Sequence, residues 1–342
     1  MMKIKLLIAL DDGVYAKLLS DNISEYHSDT VDVCLCNSPE GLKELLKSRR
    51  FNVALVDAAM IGYIDMKSIH LPLLLWSETE ANSVTAANPD VKNNIGRINK
   101  YQRISSIVSA VLEQYARVST GRDNFETKHT CITAIWSPAG GTGKTSVAIA
   151  YALSRVTGDK EVFYLNIENF SSIPCFFNEN GKSISTVFEM LENSDGDIKM
   201  LIKGISGRDK GITFLSGPDN YDDINILSCE NVHELITFCA QLADELVIDM
   251  SCGCDSRTRK VFDLAGKILL VTDPSGCTGV KLAQFLSQNN VFETIKEKTV
   301  IVANKGAILN GPYAESIISL PLMQTADISS LNNSLAEYFI DV

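Results

Sequence analysis

No stretch of this 342-residue chain reaches the ~20 consecutive apolar residues that a bilayer-spanning helix needs, so a membrane-embedded helix is not expected. Positive charge is scarce as well. There are 31 Lys and Arg against 42 Asp and Glu, a net charge of −11. Nucleic-acid phosphates are bound by clustered Lys and Arg, so a general nucleic-acid surface is not expected, although a local basic patch is left open. The nine cysteines lack the spacing of a metal framework. Cys34-x-Cys36 and Cys252-x-Cys254 are isolated pairs without a matching second pair, and they read as buried thiols rather than metal ligands. No signal peptide is expected: the short apolar run from Met1 to Leu10 is stopped by Asp11 and Asp12 and reads as a strand. Reduced thiols in cytoplasm are therefore expected. What the chain does have is 45% apolar and 21% charged residues, enough for sizeable cores, at a length that suits two domains.

The most informative stretch is Ser137-Pro138-Ala139-Gly140-Gly141-Thr142-Gly143-Lys144-Thr145-Ser146. The apolar run Cys131 to Trp136 leads into it, and the helix-forming run Val147 to Leu153 leaves it. Strand, glycine-rich loop, Lys-Thr and helix form a phosphate cradle. Glycines let backbone N–H groups turn toward phosphate oxygens, and the helix N-terminus adds a favourable dipole. In this pattern Gly140, Gly141, Thr142, Gly143, Lys144, Thr145 and Ser146 are the nucleotide-binding candidates. Lys144 reaches the outer phosphates, and the Thr145 hydroxyl ligates Mg²⁺. Pro138 stands where G-x-x-x-x-G-K-[ST] has its first glycine.

Residues 1–118 alternate strands and helices, which predicts a parallel doubly wound sheet. Apolar strands end at Asp11 and Asp12, at Asp57, at Ser77 and before Lys100. Each of these polar groups lies at a strand C-terminus, where ligand sites of open α/β sheets are found. The order resembles a response-regulator receiver domain. That resemblance implies Mg²⁺-binding acids at Asp11 and Asp12, a phosphoacceptor at Asp57, a switch hydroxyl at Ser77 and a phosphate-pairing lysine at Lys100. Two departures stand against a working site. The spacing from Asp57 to Ser77 hardly holds a full helix with its loops, so the third helix is expected to be shortened or lost. Tyr101 replaces the family's proline after the lysine. A fold kept for docking and a phosphorylatable switch both remain open. The polar, aperiodic residues 119–129 are the expected linker.

Residues 130–342 predict a second α/β domain with a mostly parallel sheet of about seven strands. Leu246-Val247-Ile248 ends at Asp249, and an acid there can hold the Mg²⁺ of a phosphate-loop site. Together, loop and acid resemble the deviant-Walker ParA and MinD ATPases, and within them the TadZ/CpaE group, which fuses a receiver-like domain to this ATPase. The stretches that carry the narrower resemblance are Phe214 to Pro218, Asp249 to Gly253, Thr258 to Ala265 and Val271 to Ser275. The fold expected is thus two doubly wound α/β domains, a flavodoxin-like receiver domain followed by a P-loop NTPase domain of ParA/MinD type.

The resemblance further implies ATP and Mg²⁺ as cofactors, Asn304 on the adenine side, ATP-dependent homodimerisation and a role in placing Flp (tad) type IV pili. Partners are then pilus and secretion machinery. Ala139 occupies the position of the family's signature lysine, and Asn166-Ile167-Glu168 that of its switch Asp-x-Asp. Lys144 and Glu168 are the catalytic candidates. Weak or absent hydrolysis with nucleotide binding retained is expected, against a turnover-competent positioning ATPase, a phosphorylation-controlled switch or a scaffold without nucleotide. The last helix, Leu331 to Ile340, is amphipathic but acidic and is expected to pack. Membrane or polar recruitment would then run through protein partners, without DNA.

Overall fold

The structure is a computed structural model. It describes residues 3–28, 30–64, 67–77, 95–119, 130–178, 181–193, 196–309, 317–323, 328–340 and 342. Most of the expected linker, 120–129, lies outside the described residues. The chain forms two compact units, Met1–Gly121 and Arg122–Val342.

The first unit runs β1 (Ile4–Ala9), α1 (Gly13–Tyr26), β2 (Val31–Cys36), α2 (Pro39–Ser48), β3 (Phe51–Val56), β4 (Ile69–Trp76), β5 (Gly96–Asn99) and α3 (Ile104–Val118). Its strands are parallel in the order β2-β1-β3-β4-β5, the 2-1-3-4-5 order of a flavodoxin-like doubly wound sheet. β1 and β3 are almost continuously apolar because both faces of a parallel sheet are covered. α2 starts where Ser38 accepts the Gly41 N–H and Pro39 takes the first turn, and it buries Leu42 and Leu46. Between β3 and β4 the described residues hold a 3-10 turn, Ile61–Tyr63, in place of a helix. Gly96 is required by close approach: a Cβ there would meet the Gln114 side chain of α3 and Leu73 of β4.

The second unit runs β6 (Cys131–Trp136), α4 (Lys144–Arg155), β7 (Val162–Asn166), α5 (Ser185–Asn193), α6 (Ile198–Ile205), β8 (Gly207–Asp209), β9 (Ile212–Phe214), α7 (Asp222–Ile226), α8 (Cys229–Ala240), β10 (Glu245–Asp249), α9 (Ser256–Leu264), β11 (Lys267–Thr272), α10 (Gly276–Leu286), α11 (Asn289–Ile295), β12 (Thr299–Ala303), β13 (Ile317–Ser319) and α12 (Ile328–Ala336). The sheet has eight strands in the order β13-β12-β11-β6-β10-β7-β9-β8. All pairs are parallel except β8 with β9. The eighth strand comes from that short hairpin, whose three-residue first arm shows no apolar alternation. α4 is buried from Val147 to Ala152, between the sheet and α12. α12 and the 3-10 turn after it seat Leu335 and Phe339 against α4, with Phe339 edge-on to Tyr151 at 5.7 Å. Among the described residues no helix is long and apolar enough to cross a membrane.

Candidate functional site

Strand register assembles the site in the second unit. β10 lies between β6 and β7, with Asp249 paired to Ile135 on one side and to Asn166 on the other. Three strand ends therefore converge on the loop that links β6 to α4. Gly141 and Gly143 have φ of 77° and 87°, a left-handed region that favours glycine. A Cβ on Gly140 or Gly141 would meet nothing within 4 Å, so the outer face of the loop is open. Lys144 and Thr145 sit at the N-terminus of α4, where the helix dipole favours an anion.

Lys144 is buried, and its ammonium lies 3.9 Å from Glu168 Oε1. Glu168 is thus more than a solvated strand-end acid. Burial raises its pKa, while Lys144, Asn166 and Thr145 oppose the rise. Asp249 is fully buried. Tyr164 donates its hydroxyl to Asp249 Oδ2 at 2.8 Å, and Asn166 Nδ2 donates to the same oxygen at 3.2 Å. Among the described residues Asp249 Oδ1 accepts no hydrogen bond of ordinary length. Burial, with the Glu168 charge next, pushes the Asp249 pKa up to about 7, although Thr145 and Lys144 oppose the rise. A buried carboxylate with an empty oxygen fits a divalent cation or its water shell, which would supply the missing charge and donors. The donor set thus suits Mg²⁺ with a phosphate-bearing ligand. Thr145 and Asp249 would hold the metal, and the loop N–H groups with Lys144 the phosphates.

Asn166, read in the sequence as a lost charge, has a positive role. Its amide donates to Asp249 and its carbonyl accepts the Glu168 N–H at 3.1 Å. It links the two acids without adding a third negative charge. Tyr164 was missed. The period of two along β7 puts Tyr164 and Asn166 on one face, and that pattern was the available signal. Ala139 is buried, with its N–H on Ser137 Oγ.

Asn304 lies beneath the loop, donating from Nδ2 to the Thr142 carbonyl at 2.8 Å. Its neighbour Lys305 reaches over the loop, with Nζ 2.5 Å from the Gly141 carbonyl and 3.3 Å from Asp273 Oδ2. Lys305 has φ of 55°, rare for a residue with a side chain. Sequence reasoning named Asn304 but not the Lys305 brace. Ser146 follows Thr145 in the first turn of α4.

The polar groups of the first unit also gather at strand ends. Asp57 Oδ2 accepts the Asp11 N–H at 2.7 Å, and Oδ1 accepts the N–H groups of Ala59 and Met60. Lys100 lies 3.7 Å from Asp12 Oδ2. Asp12 also caps α1 by accepting the Tyr15 N–H, which holds its pKa below the usual carboxylate range. Ser77 is buried at the end of β4. The expectation of buried thiols fails for Cys252 and Cys254, which are exposed on the loop after β10; Cys36 is buried and Cys34 half-buried. The chain leaves the sheet at Asp249, so the loop beyond it faces solvent. Among the described residues no group of three or more His, Cys, Asp and Glu is arranged to hold a metal ion.

No family model and no curated protein matches the sequence. Solved structures do. A ParA-family ATPase from Chlorobium tepidum aligns at TM-score 0.51 and 17% identity, covering 62% of this chain and 92% of its own. A plasmid partition protein from Borrelia burgdorferi aligns at 0.44 and 18%, covering 62% and 98%. The septum site-determining protein MinD from Pyrococcus horikoshii, complexed with Mg-ADP, aligns at 0.41 and 15%, covering 61% and 95%. Over about 62% of its length the chain therefore shares the fold of a ParA-family ATPase.

Proposed function

We propose that this protein is a nucleotide-binding positioning factor of ParA/MinD type that binds ATP with Mg²⁺ and dimerises around it. The observation that carries the reading is the buried Asp249 with an unpartnered oxygen beside an open glycine loop and Lys144. Gly140 to Ser146 would cradle the phosphates, Thr145 and Asp249 the metal, and Asn304 the adenine side through the loop it braces. Lys144 and Glu168 would act on the reacting phosphate. Hydrolysis is slow in this reading, because buried Ala139 offers no charge across a dimer. A cationic contact to developing phosphoryl charge is worth ~10³ or more in rate.

The narrower role follows from the sequence resemblance to TadZ/CpaE: placement of Flp (tad) pili by contact with pilus and secretion machinery. A flavodoxin-like unit ahead of the P-loop unit supports it. The first unit serves as a docking module in this reading. Three backbone N–H groups already occupy the Asp57 carboxylate, and Lys100 is directed to Asp12.

Thermal unfolding with and without ATP-Mg²⁺ tests the nucleotide site. Ligand at ~100 times its Kd adds roughly 2.7 kcal/mol. That gain is expected in the wild type and absent from Lys144→Ala. Equal unfolding of the wild type with and without ATP-Mg²⁺ would favour the scaffold without nucleotide.

A further inference from the structure

An apolar cluster stands open to solvent on the loop that carries Glu168. Phe170 is 80% exposed and Tyr221 51% exposed, yet their rings stack with centroids 5.8 Å apart and planes 23° from parallel. Asn169 ties the two loops together. Its Nδ2 donates to the Tyr221 carbonyl at 3.1 Å and to Asn225 Oδ1 at 3.0 Å. Ile226, next in the chain, is 60% exposed. Adjacent large side chains held in place while exposed mark a contact surface more than scattered apolar residues do.

The rim is acidic. Asp219 and Asp222 are exposed and Asp223 half-buried. None of the three forms an ion pair among the described residues. The nearby Arg257 pairs with Asp255 at 2.7 Å and donates to the Ile224 carbonyl, so it leaves the rim charge in place. Nucleic acid and anionic lipid carry the same sign as this rim. A second copy that met this rim with its own would bring the same charge. Charge complementarity selects a cationic partner, and Arg in particular combines carboxylate pairing with stacking on aromatic faces.

We propose that the Phe170–Tyr221 platform docks a basic segment of another protein that carries Arg or Lys between aliphatic residues, and that docking is felt at the nucleotide site. The docking stands on the platform alone. The coupling rests on the proposed nucleotide reading. Phe170 lies two residues beyond Glu168, whose carboxylate is 3.9 Å from the Lys144 ammonium and whose N–H is held by Asn166. A partner that shifts this loop shifts the acid facing Lys144.

Fluorescence anisotropy on the full chain tests both parts. The probe is a labelled synthetic peptide rich in Arg and Leu, with a Glu-for-Arg peptide as control. The Arg peptide is expected to bind the wild type, the control not. Phe170→Ala with Tyr221→Ala weakens binding by about tenfold or more. Asp219→Asn, Asp222→Asn and Asp223→Asn together weaken it and flatten its salt dependence. Asp223 is half-buried and accepts the Ser185 hydroxyl, the other side chains lie at the surface, and thermal unfolding verifies that the variants fold. Bound peptide changes ATP-Mg²⁺ affinity about fivefold or more, with the reciprocal change in peptide affinity. Lys144→Ala separates the two ideas: it removes nucleotide binding and leaves peptide binding intact. Equal peptide binding by wild type and Phe170→Ala/Tyr221→Ala overturns the docking. So does wild-type self-association that the same pair of substitutions abolishes, since a second copy would then be the occupant. Peptide binding that leaves ATP affinity unchanged overturns the coupling.

Discussion

The Asp249 carboxyl carries two opposed demands. Burial and the Glu168 charge raise its pKa to about 7, so in the absence of a cation the fold favours the protonated form. Unfolded, the group returns to its ordinary value near 3.8. Between those values the native state binds more protons at this group than the unfolded one, so the group's contribution to stability falls as the pH rises. This group alone contributes a slope of up to about 1.4 kcal/mol per pH unit across that window. Asn at 249 keeps a neutral acceptor for Tyr164 and removes the titration. Urea unfolding without Mg²⁺ or nucleotide should show a flatter decline from pH 4 to 7 in Asp249→Asn, and a variant at least as stable as wild type above pH 7. Identical slopes would remove Asp249 as the source of the strain. The same variant should lose the stabilisation by ATP-Mg²⁺.

At Asp57 the same scale separates the two readings of the first unit. Incubation with a phosphodonor and Mg²⁺, followed by intact mass, should leave the mass unchanged, because three backbone N–H groups already hold the carboxylate and Lys100 is directed to Asp12. A phosphate adduct lost in Asp57→Ala would establish the signalling switch instead. These carboxylates were legible in the sequence because they end apolar strands. Their occupancy was not, because Ala59 and Met60 reach Asp57 through backbone N–H groups that no side-chain pattern encodes.

Among the elements, the phosphate loop is held from outside itself. Asn304 and Lys305 follow β12, yet they bond the carbonyls of Thr142 and Gly141 some 160 residues earlier in the chain. Gly143 answers both local and distant constraints. Its φ is 87°, and an added Cβ would lie 2.5 Å from Asn304 Nδ2. Gly143→Ala should therefore cost about 1–3 kcal/mol through backbone strain and displace Asn304. Nucleotide affinity should fall further than that of Gly140→Ala, where a Cβ meets nothing within 4 Å. Equal losses at the two positions, measured by titration calorimetry, would show that Asn304 does not shape the loop. The strand–loop–helix motif was readable at a glance. The brace was not, since its partners meet only through the β11–β12 and β6–β11 pairings. Helices α6 and α7, of only eight and five residues, likewise carry little periodic signal.

Over the whole molecule, the readable part was the alternation of strand and helix in two units and the acid opposite the phosphate loop. Buried parallel strands announce themselves as apolar runs, and their C-terminal ends carry the chemistry. Partner and rate are not written that way. In the proposed reading the rate would depend on groups brought together at the site: Asn166 as a neutral link, Glu168 with a raised pKa beside Lys144, and a buried Ala139. In the proposed reading such a site would bind and neutralise a polyphosphate, with no charge from position 139 to stabilise what develops in transfer. Dimers held by ATP should then outlast those of a rapid ATPase. In sedimentation velocity, ATP-Mg²⁺ should shift the full chain from monomer to dimer, and the dimer should persist as long as one formed with a non-hydrolysable analogue. Lys144→Ala should stay monomeric under both conditions. Rapid return of the ATP dimer to monomer, with phosphate released in step, would instead make the protein a turnover-driven positioning ATPase and require a catalytic cation from a position other than 139.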